Sequence, residues 1–399
     1  MLELSKKAKA THLSPIRKFY PYAVDAAQRG IKIYHLNIGQ PDIPTPKAYF
    51  DAIKSADLIA DSYAPSLGQS ELINAIREYY KRLGIVLNNE EIVVTTGGSE
   101  AISMSMFAIL NSGDRVIVPE PFYPNYNTII KAAGGSITPI STSVENDYFY
   151  ADPQMLKKAL RKNTKAILIT NPNNPTGTIL NDKDMAVIID FAVKNNLYIV
   201  CDEVYREICF TGDKLTSILK NDKVKEHLIV IDSVSKRFSC CGARVGALIS
   251  KNKSIIESAT KYAQSRLSVS TLNQIGAACM YNSADEHYFE SVKNEYKKRC
   301  DVMVSELSKI EGVRVSPPKG AFYVMASLPI DNADDFQKFL LTDFNVDNET
   351  VMFAPAADFY ATKGKGKNEI RLAAVLNESD TERAISILKK GIAAYNASR

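Results

Sequence analysis

The chain has 399 residues, of which 45% are hydrophobic and 24% are charged, and its formal net charge at pH 7 is +4. This length predicts one large domain with an ample core plus a smaller companion, because single cores stop growing near about 250–300 residues. The composition argues against extended disorder, and the scattering of Lys and Arg among Asp and Glu argues against nucleic acid or anionic membrane as partners.

The cysteines and the N-terminal residues indicate the cellular compartment in which the protein resides. Six cysteines are present without any CxxC spacing, and Cys201 and Cys209 lie in or beside apolar runs, so buried thiols in a reducing cytoplasm fit best. Residues 1–10 are charged and lack an apolar signal region, and no apolar run approaches the roughly 20 residues of a membrane span. We therefore expect a cytoplasmic protein, and no motif suggests a metal site.

The first predicted elements are a short helix and two loops. Ser14 can cap a helix whose first position is Pro15, and Arg17 is either a solvated helix charge or a residue that faces a cleft. Gly39 belongs to a loop rich in Gly and Pro. Tyr63 precedes a predicted helix with apolar side chains at positions 72, 73, 75 and 76. On spacing alone Gly39 is a turn glycine and Tyr63 is a loop aromatic.

A glycine pair follows the first predicted strand of the main series. Residues 91–96 (EIVVTT) are strand-like, and Gly98, Ser99 and Glu100 open the helix that follows. A strand, glycines and a helix start can hold an anion through free backbone N–H groups and the helix dipole. The sequence matches neither the Walker pattern GxxxxGK[ST] nor the dinucleotide-binding pattern GxGxxG. The alternative interpretation is a plain strand-to-helix turn that binds no ligand.

Two further strands end in proline-rich loops. Residues 114–119 form a strand that leads into the loop PEPFYPNY, in which Tyr123 is either a packed loop aromatic or a stacking ring, and one proline could be cis. Residues 166–170 (AILIT) form a buried strand that leads into NPNNPTG, which contains Asn174. That string could serve only a tight turn.

Two more predicted buried strands are each followed by polar side chains that could bind a ligand or take part in catalysis. Residues 197–201 precede Asp202 and Tyr205, and ligands of open α/β sheets bind at such carboxyl ends of strands. Residues 227–231 precede the stretch SVSKRFSCCGARVG, residues 233–246. This stretch brings to one place two hydroxyls, an amine, glycines and a guanidinium: Ser233, Ser235, Lys236, Gly242 and Arg244.

The alternation of strands and helices from residue 91 to about 250 predicts an α/β fold with a mainly parallel sheet and helices on both faces. A helical region at 283–310 is expected to lead to a smaller α+β domain with strands near 320–325, 351–355 and 369–374. Arg371 stands among apolar neighbours in the last of these, where an arginine is normally a surface charge on an edge strand. We expect a large domain at 38–285 and a small domain at 1–37 and 286–399.

Taken together, the lysine segment and the other motifs resemble the pyridoxal-phosphate-dependent aminotransferases of fold type I, class I/II. The resemblance covers nearly the entire chain and is strongest to the prokaryotic-type aspartate and aromatic aminotransferases. It implies pyridoxal 5'-phosphate as cofactor, an EC 2.6.1.- activity, and a homodimer with shared active sites. The substrates would be an amino acid and a 2-oxo acid.

The resemblance also implies residue roles. Lys236 would hold the cofactor covalently and then move the substrate proton, Asp202 would contact the pyridine nitrogen, and Tyr205 would contact the ring oxygen. The other cofactor contacts, including a tyrosine from the neighbouring subunit, would be Gly98, Ser99, Glu100, Tyr123, Asn174, Ser233, Ser235, Arg244 and Tyr63. The substrate would meet Gly39, Asn174 and Arg371, the last of which would grip the α-carboxylate.

One position departs from the family pattern. Several bacterial aspartate enzymes of this group have a lysine after the glycine pair that reads the distal carboxylate, and this chain has Ser99 there. Arg17 could substitute for that lysine. We expect aspartate as the amino donor and 2-oxoglutarate as the acceptor.

Other functions stay open on the same scaffold. Tyr126 and Phe122 leave an aromatic substrate plausible, and C–S lyases and aminocyclopropane-carboxylate synthases share the fold. A transcription regulator would need an added DNA-binding segment, for which a resemblance that begins near residue 14 leaves no room. A catalytically inactive homologue would be expected to lack Lys236, Asp202 or Arg371, and all three are present.

Overall fold

The structure is a computed structural model that describes residues 2–5, 8–9, 11, 14–212 and 215–399. The predicted polar N-terminal segment therefore lies partly outside the described residues. Within them the strands are β1 (Lys32–His35), β2 (Ile92–Thr95), β3 (Arg115–Glu120), β4 (Ser136–Ser141), β5 (Thr164–Thr170), β6 (Tyr198–Asp202), β7 (Leu228–Ser233), β8 (Gly246–Ile249), β9 (Arg314–Ser316), β10 (Tyr323–Ser327), β11 (Glu349–Met352), β12 (Ala354–Pro355) and β13 (Glu369–Ala373).

The α-helices of the described residues are α1 (Tyr20–Gln28), α2 (Lys47–Lys54), α3 (Ser70–Arg82), α4 (Gly98–Ile109), α5 (Asn125–Ala132), α6 (Pro153–Ala159), α7 (Asp182–Lys194), α8 (Val234–Arg237), α9 (Lys253–Arg266), α10 (Thr271–Ser283), α11 (Glu286–Ser308), α12 (Ala333–Thr342) and α13 (Glu378–Ala397). Short 3-10 turns lie at Pro15–Arg17, Asn89–Glu91, Val144–Asn146, Ile218–Lys220, Asp222–Val224, Cys241–Ala243 and Ala357–Phe359. No helix of the described residues is long and apolar enough to cross a membrane.

A seven-stranded sheet forms the larger part of the fold. In the described residues its strand order is β2-β8-β7-β6-β5-β3-β4. Strand β8 runs antiparallel to both of its neighbours, and the other pairs are parallel. The predicted α/β fold with a mainly parallel sheet is confirmed.

Helices cover both faces of this sheet, as the continuous apolar runs predict. Along β7, Leu228 and Val230 pack in a core with α3, α7 and α10, whereas Ile229 and Ile231 pack on the opposite face with α4 and α9. Because successive side chains of a strand point to opposite faces, a strand buried on both faces has a near-continuous apolar run.

The parallel strands place their following residues at one edge of the sheet. Asp202 ends β6 beside Thr170 of β5, and Ser233 ends β7. Strand β6 ends one residue, and β7 two residues, beyond the apolar runs at 197–201 and 227–231. Each strand therefore includes the polar residues that directly follow its apolar run. Residues that are far apart along the chain thereby meet at a single edge.

A four-stranded antiparallel sheet, in the order β12-β13-β10-β9, packs against α11, α12 and α13. Arg371 lies on the inner strand β13, opposite Met325 of β10 and Ala354 of β12, and is 1% exposed. Interpreting Arg371 as an edge-strand surface charge is therefore wrong for this chain. The domain boundaries at residues 37 and 285 stay a prediction.

The N-terminal region differs in one respect from the sequence prediction. Pro15 does begin a helical turn, but this is a three-residue 3-10 turn in which the Ser14 side chain accepts no capping hydrogen bond. The α-helix begins only at Tyr20. Ser14 instead lines a cavity at the edge of the large sheet.

Candidate active site

A cavity of about 450 Å³ lies where the parallel strands end. Most of the predicted site residues line it: Arg17, Gly39, Gly98, Ser99, Tyr123, Asn174, Asp202, Tyr205, Ser233, Ser235, Lys236, Arg244 and Arg371. Its volume falls within the range of ordinary small-molecule sites. Two predicted residues, Glu100 and Tyr63, do not line it.

Lys236 carries the primary amine of the cavity. It belongs to the four-residue helix α8, which begins directly after β7. Its Nζ donates to the carbonyl oxygen of Gly39 at 2.8 Å and lies 3.5 Å from the Sγ of Cys241. The lysine is only half-buried, so its amine is available to a ligand in the cavity.

Asp202 supplies a buried carboxyl group. Its Oδ2 accepts a hydrogen bond from the Tyr126 hydroxyl at 2.8 Å, and its Oδ1 accepts from the Val204 N–H at 3.3 Å. Burial outweighs these two bonds and raises the pKa of Asp202 to about 6 from an ordinary value of 3.8. A cationic group placed beside Asp202 would relieve the cost of its charge.

A ring of buried side chains forms another part of the cavity wall. The Arg371 Nη1 donates to the Asn174 Oδ1 at 3.2 Å, and the Asn174 Nδ2 donates to the Tyr205 hydroxyl at 3.3 Å. The Tyr205 hydroxyl lies 2.9 Å from the hydroxyl of Tyr323, whose ring centroid is 4.5 Å from the Arg371 guanidinium. The Nε of Arg371 is buried and has no hydrogen-bond partner in the described residues, so the guanidinium retains a free donor.

The start of α4 forms a cradle for an anion. The N–H groups of Gly98, Ser99 and Glu100 make no hydrogen bond within the described residues, as expected at a helix N-terminus. Gly97 has a φ of 76°, and a Cβ there would lie 2.4 Å from the Arg244 Nη2. Only glycine therefore allows the arginine to approach this turn so closely.

Further donors surround the same cradle. The hydroxyls of Ser233 and Ser235 lie 2.9 Å apart in the cavity wall. Arg244 is held at the cavity mouth because its Nη1 and Nη2 donate to the carbonyl oxygens of Cys241 and Thr96. Free N–H groups, hydroxyls and a guanidinium together make a donor set suited to a phosphate group.

The side chain of Glu100 lies outside the cavity. One of its carboxylate oxygens accepts a hydrogen bond from the Thr96 N–H at 2.6 Å, and the other lies 3.4 Å from the Arg266 Nε. Any contact of Glu100 with a ligand would therefore come from its backbone N–H, as the resemblance implies. That contact stays a prediction.

Tyr63 and Arg17 occupy exposed positions. The Tyr63 side chain is 80% exposed, and its predicted reach into a neighbouring subunit stays a prediction. The Arg17 guanidinium lines the cavity, is exposed, and forms no hydrogen bond or ion pair with the described residues. An unpaired cation at the cavity wall is available to an anionic ligand.

Two tyrosines that were not assigned a site role prove important. Tyr126 lines the cavity, is 1% exposed, and its hydroxyl is engaged by Asp202 and by Thr170, so it supports the buried carboxyl. Phe122 does not line the cavity. Tyr323 lines it from β10, and no local pattern signals this because the contact depends on how the two sheets pack.

Comparison with known proteins places this geometry in a family. The family model for aminotransferase class I and II matches residues 31–388. The chain therefore belongs to the class I and II aminotransferase family, and its fold and sequence identify it as an aminotransferase, EC 2.6.1.-. The resemblance inferred from the motifs is confirmed at this level.

Individual relatives span almost the whole chain. An aspartate aminotransferase of Bacillus subtilis is 30% identical in an alignment of 400 positions that covers 98% of this chain and 98% of the relative. An aspartate/prephenate aminotransferase of Thermus thermophilus is 28% identical and covers 96% of this chain and 97% of the relative. The structure of an aspartate aminotransferase from Thermus thermophilus with maleate superposes with a TM-score of 0.87 at 26% identity, over 98% of this chain and 100% of that chain.

Proposed function

We propose that this aminotransferase uses pyridoxal 5'-phosphate to move the amino group of L-aspartate to a 2-oxo acid, with 2-oxoglutarate as the acceptor. One observation carries the proposal. The Lys236 amine, the buried Asp202 carboxyl and the Arg371 guanidinium line the same cavity, together with a donor set suited to a phosphate group. The names of the relatives support aspartate as the donor.

The residues present fit the proposed cofactor. Bound pyridoxal phosphate supplies an electron sink for the carbanion that forms when an amino acid loses its α-proton. The free N–H groups at the start of α4, the Ser233 and Ser235 hydroxyls and Arg244 would hold its phosphate. Tyr123, whose ring lines the cavity, would stack on the pyridine ring.

Asp202 would keep the pyridine nitrogen protonated. Its own buried charge is costly, so a cation beside it is favourable to both groups. Tyr205 and Asn174 would donate hydrogen bonds to the ring oxygen. The Tyr126 hydroxyl orients Asp202 for this contact.

Lys236 would hold the cofactor covalently through its amine. As an amine at the cavity wall, Lys236 would also act as the group that moves the proton away from the substrate α-carbon. The 2.8 Å hydrogen bond from the Lys236 Nζ to the Gly39 carbonyl oxygen marks a resting position for that free amine.

Two guanidinium groups would select the substrate. Arg371 can bind the α-carboxylate with two parallel hydrogen bonds, which a lysine cannot do. The unpaired Arg17 would bind the distal carboxylate, since Ser99 stands where related enzymes have a lysine. Maleate, the ligand named for the Thermus thermophilus structure, is itself a dicarboxylate.

We also propose a homodimer with shared active sites in the cytoplasm, and a division into domains at residues 37 and 285. Support for the dimer comes from the loop that contains Leu58, Ile59 and Tyr63, whose side chains are 42%, 107% and 80% exposed. Such apolar exposure on one loop is typical of a surface that a partner covers. Tyr63 would then reach the phosphate bound by the partner.

The test is a transamination assay with 2-oxoglutarate and L-aspartate, L-tyrosine or L-phenylalanine, with Lys236→Ala as the control. We expect aspartate to react fastest, with glutamate and oxaloacetate as products, and the control to be inactive. A faster reaction with tyrosine or phenylalanine would favour the aromatic alternative. Release of pyruvate and a thiol from L-cystathionine, without transamination, would favour the lyase alternative.

A further inference from the structure

Tyr323 lies between Tyr205, which is proposed to bind the cofactor ring oxygen, and Arg371, which is proposed to bind the substrate carboxylate. It begins β10, is 2% exposed, and lines the cavity. Its hydroxyl lies against Gly39, where a Cβ would come within 1.8 Å of the Tyr323 oxygen. The absence of a side chain at position 39 therefore makes room for this hydroxyl.

The contacts of Tyr323 complete a closed ring of four side chains. Hydrogen bonds run from Arg371 to Asn174 at 3.2 Å and from Asn174 to Tyr205 at 3.3 Å, and the two tyrosine hydroxyls are 2.9 Å apart. The face of the Tyr323 ring returns to the Arg371 guanidinium at 4.5 Å. The proposed carboxylate-binding group and the proposed ring-oxygen contacts are thus joined through Tyr323.

Counting protons fixes the direction of the bond between the tyrosines. Each phenol has one proton. If Tyr205 donates its proton to the cofactor ring oxygen, its bond with Tyr323 survives only with Tyr323 as the donor. Within the described residues, Tyr205 is the only hydrogen-bond partner of the Tyr323 hydroxyl, so nothing competes for that proton.

We propose that Tyr323 is a positioning residue whose hydroxyl donates to Tyr205 and strengthens the bond from Tyr205 to the cofactor ring oxygen, while its ring fixes the Arg371 guanidinium. This inference rests on the proposed function. A phenol that accepts one hydrogen bond becomes a better donor in another, by roughly 10–30% per bond. Guanidinium groups over aromatic faces are attracted by the ring quadrupole.

The bound cofactor offers a readout other than activity. Hydrogen bonds to the ring oxygen of the bound cofactor would stabilise negative charge there and so disfavour protonation of the cofactor's chromophore. Loss of the Tyr323 hydroxyl should therefore raise the pH midpoint of the visible absorption band. Asp202 and Arg371 are the charged groups that act on Tyr205, and Lys236 lines the same cavity; all three remain in place in the variants below.

The experiment titrates the visible band of the holoenzyme in wild type, Tyr323→Phe and Tyr296→Phe. Tyr296→Phe is the matched control, because Tyr296 is a fully buried tyrosine of the same core that does not line the cavity. In Tyr323→Phe we expect the midpoint to rise by about 0.1–0.7 pH unit, which is 10–30% of a hydrogen bond to a charged group. The control should match wild type.

A double-mutant comparison tests the same chain of hydroxyls independently. Tyr205→Phe breaks the chain at its other end, so adding Tyr323→Phe to Tyr205→Phe should give no further rise. Additive shifts, an unchanged midpoint in Tyr323→Phe, or an equal rise in Tyr296→Phe would overturn the role of Tyr323. Absence of any visible band in the wild-type protein with added pyridoxal phosphate would instead overturn the proposed function.

Discussion

Two buried aspartates at the ends of neighbouring strands should respond to the same substitution in opposite directions. Asp202 at the end of β6 has a pKa raised to about 6 by burial. At Asp232 of β7 burial alone would raise the pKa, but Arg237 at 2.8 Å, together with Arg206 and the Tyr80 hydroxyl, outweighs burial and lowers the pKa. Asp202→Asn and Asp232→Asn therefore form a matched pair.

The magnitude for Asp202 follows from its pKa. At about 1.4 kcal/mol per pKa unit, the rise from 3.8 to about 6 corresponds to about 3 kcal/mol. Because the folded state binds this proton more tightly, the proton's contribution to stability is fully present below pH 3.8 and is lost as the pH rises through about 6. Above that pH, Asp202 is a costly buried charge in the cofactor-free protein.

Asparagine removes this charge and keeps a carbonyl oxygen for the Tyr126 hydroxyl. We expect Asp202→Asn to raise the free energy of unfolding of the cofactor-free protein at pH 7.5 by about 1–3 kcal/mol, and by about half as much at pH 5. Asp232→Asn should instead lower it by about 3–5 kcal/mol, since the Arg237 charge is left buried without its partner. Added pyridoxal phosphate should stabilise Asp202→Asn less than wild type.

Equilibrium urea unfolding at one fixed protein concentration measures all of these changes. Comparable losses of stability in both variants would refute the reasoning, because they would show that the Asp202 charge stabilises the empty site. So would a gain in Asp202→Asn that is the same at pH 5 and pH 7.5, since a titrating carboxyl must give a pH-dependent difference.

Three further substitutions test residues that are predicted to contact the substrate. Arg371→Lys should raise the KM for every amino acid by about 10–100-fold, because lysine cannot bind a carboxylate with two parallel bonds; steady-state kinetics equal to wild type would remove the assignment. Arg17→Ala should lower kcat/KM for aspartate by about tenfold while sparing monocarboxylic amino acids, and Lys18→Ala serves as the neighbouring control. An equal loss for both substrate classes would exclude Arg17 as the side-chain reader. Gly39→Ala should lower the unfolding free energy by about 1–3 kcal/mol, because its Cβ would displace the Tyr323 hydroxyl. An unchanged urea midpoint would show that the loop containing Gly39 rearranges without a cost in stability.

The large sheet could be predicted from the sequence because burial on both faces leaves a local signal. The first four residues of β7, 228–231, are all apolar, and polar residues follow them directly. The rule that ligands bind at the carboxyl ends of parallel strands then brings Asp202, Ser233 and Lys236 together. The cavity contains all three.

Features that depend on contacts between distant segments could not be predicted in this way. Arg371 has the local pattern of an edge-strand charge, and its burial follows from strands added on both sides of β13. Strand β1 pairs with β11, in which Lys32 lies opposite Glu349. The meeting of Tyr205 with Tyr323 likewise depends on the packing of one sheet against the other.

Lys236 carries more of the proposed chemistry than any other residue. Reduction of the holoenzyme with borohydride, followed by mass spectrometry of its peptides, locates the amine that holds the cofactor. We predict one pyridoxyl phosphate group per chain on the peptide that contains Lys236, and none in Lys236→Ala. Attachment at another lysine, or no attachment in the wild-type protein after incubation with pyridoxal phosphate, would contradict the proposed function.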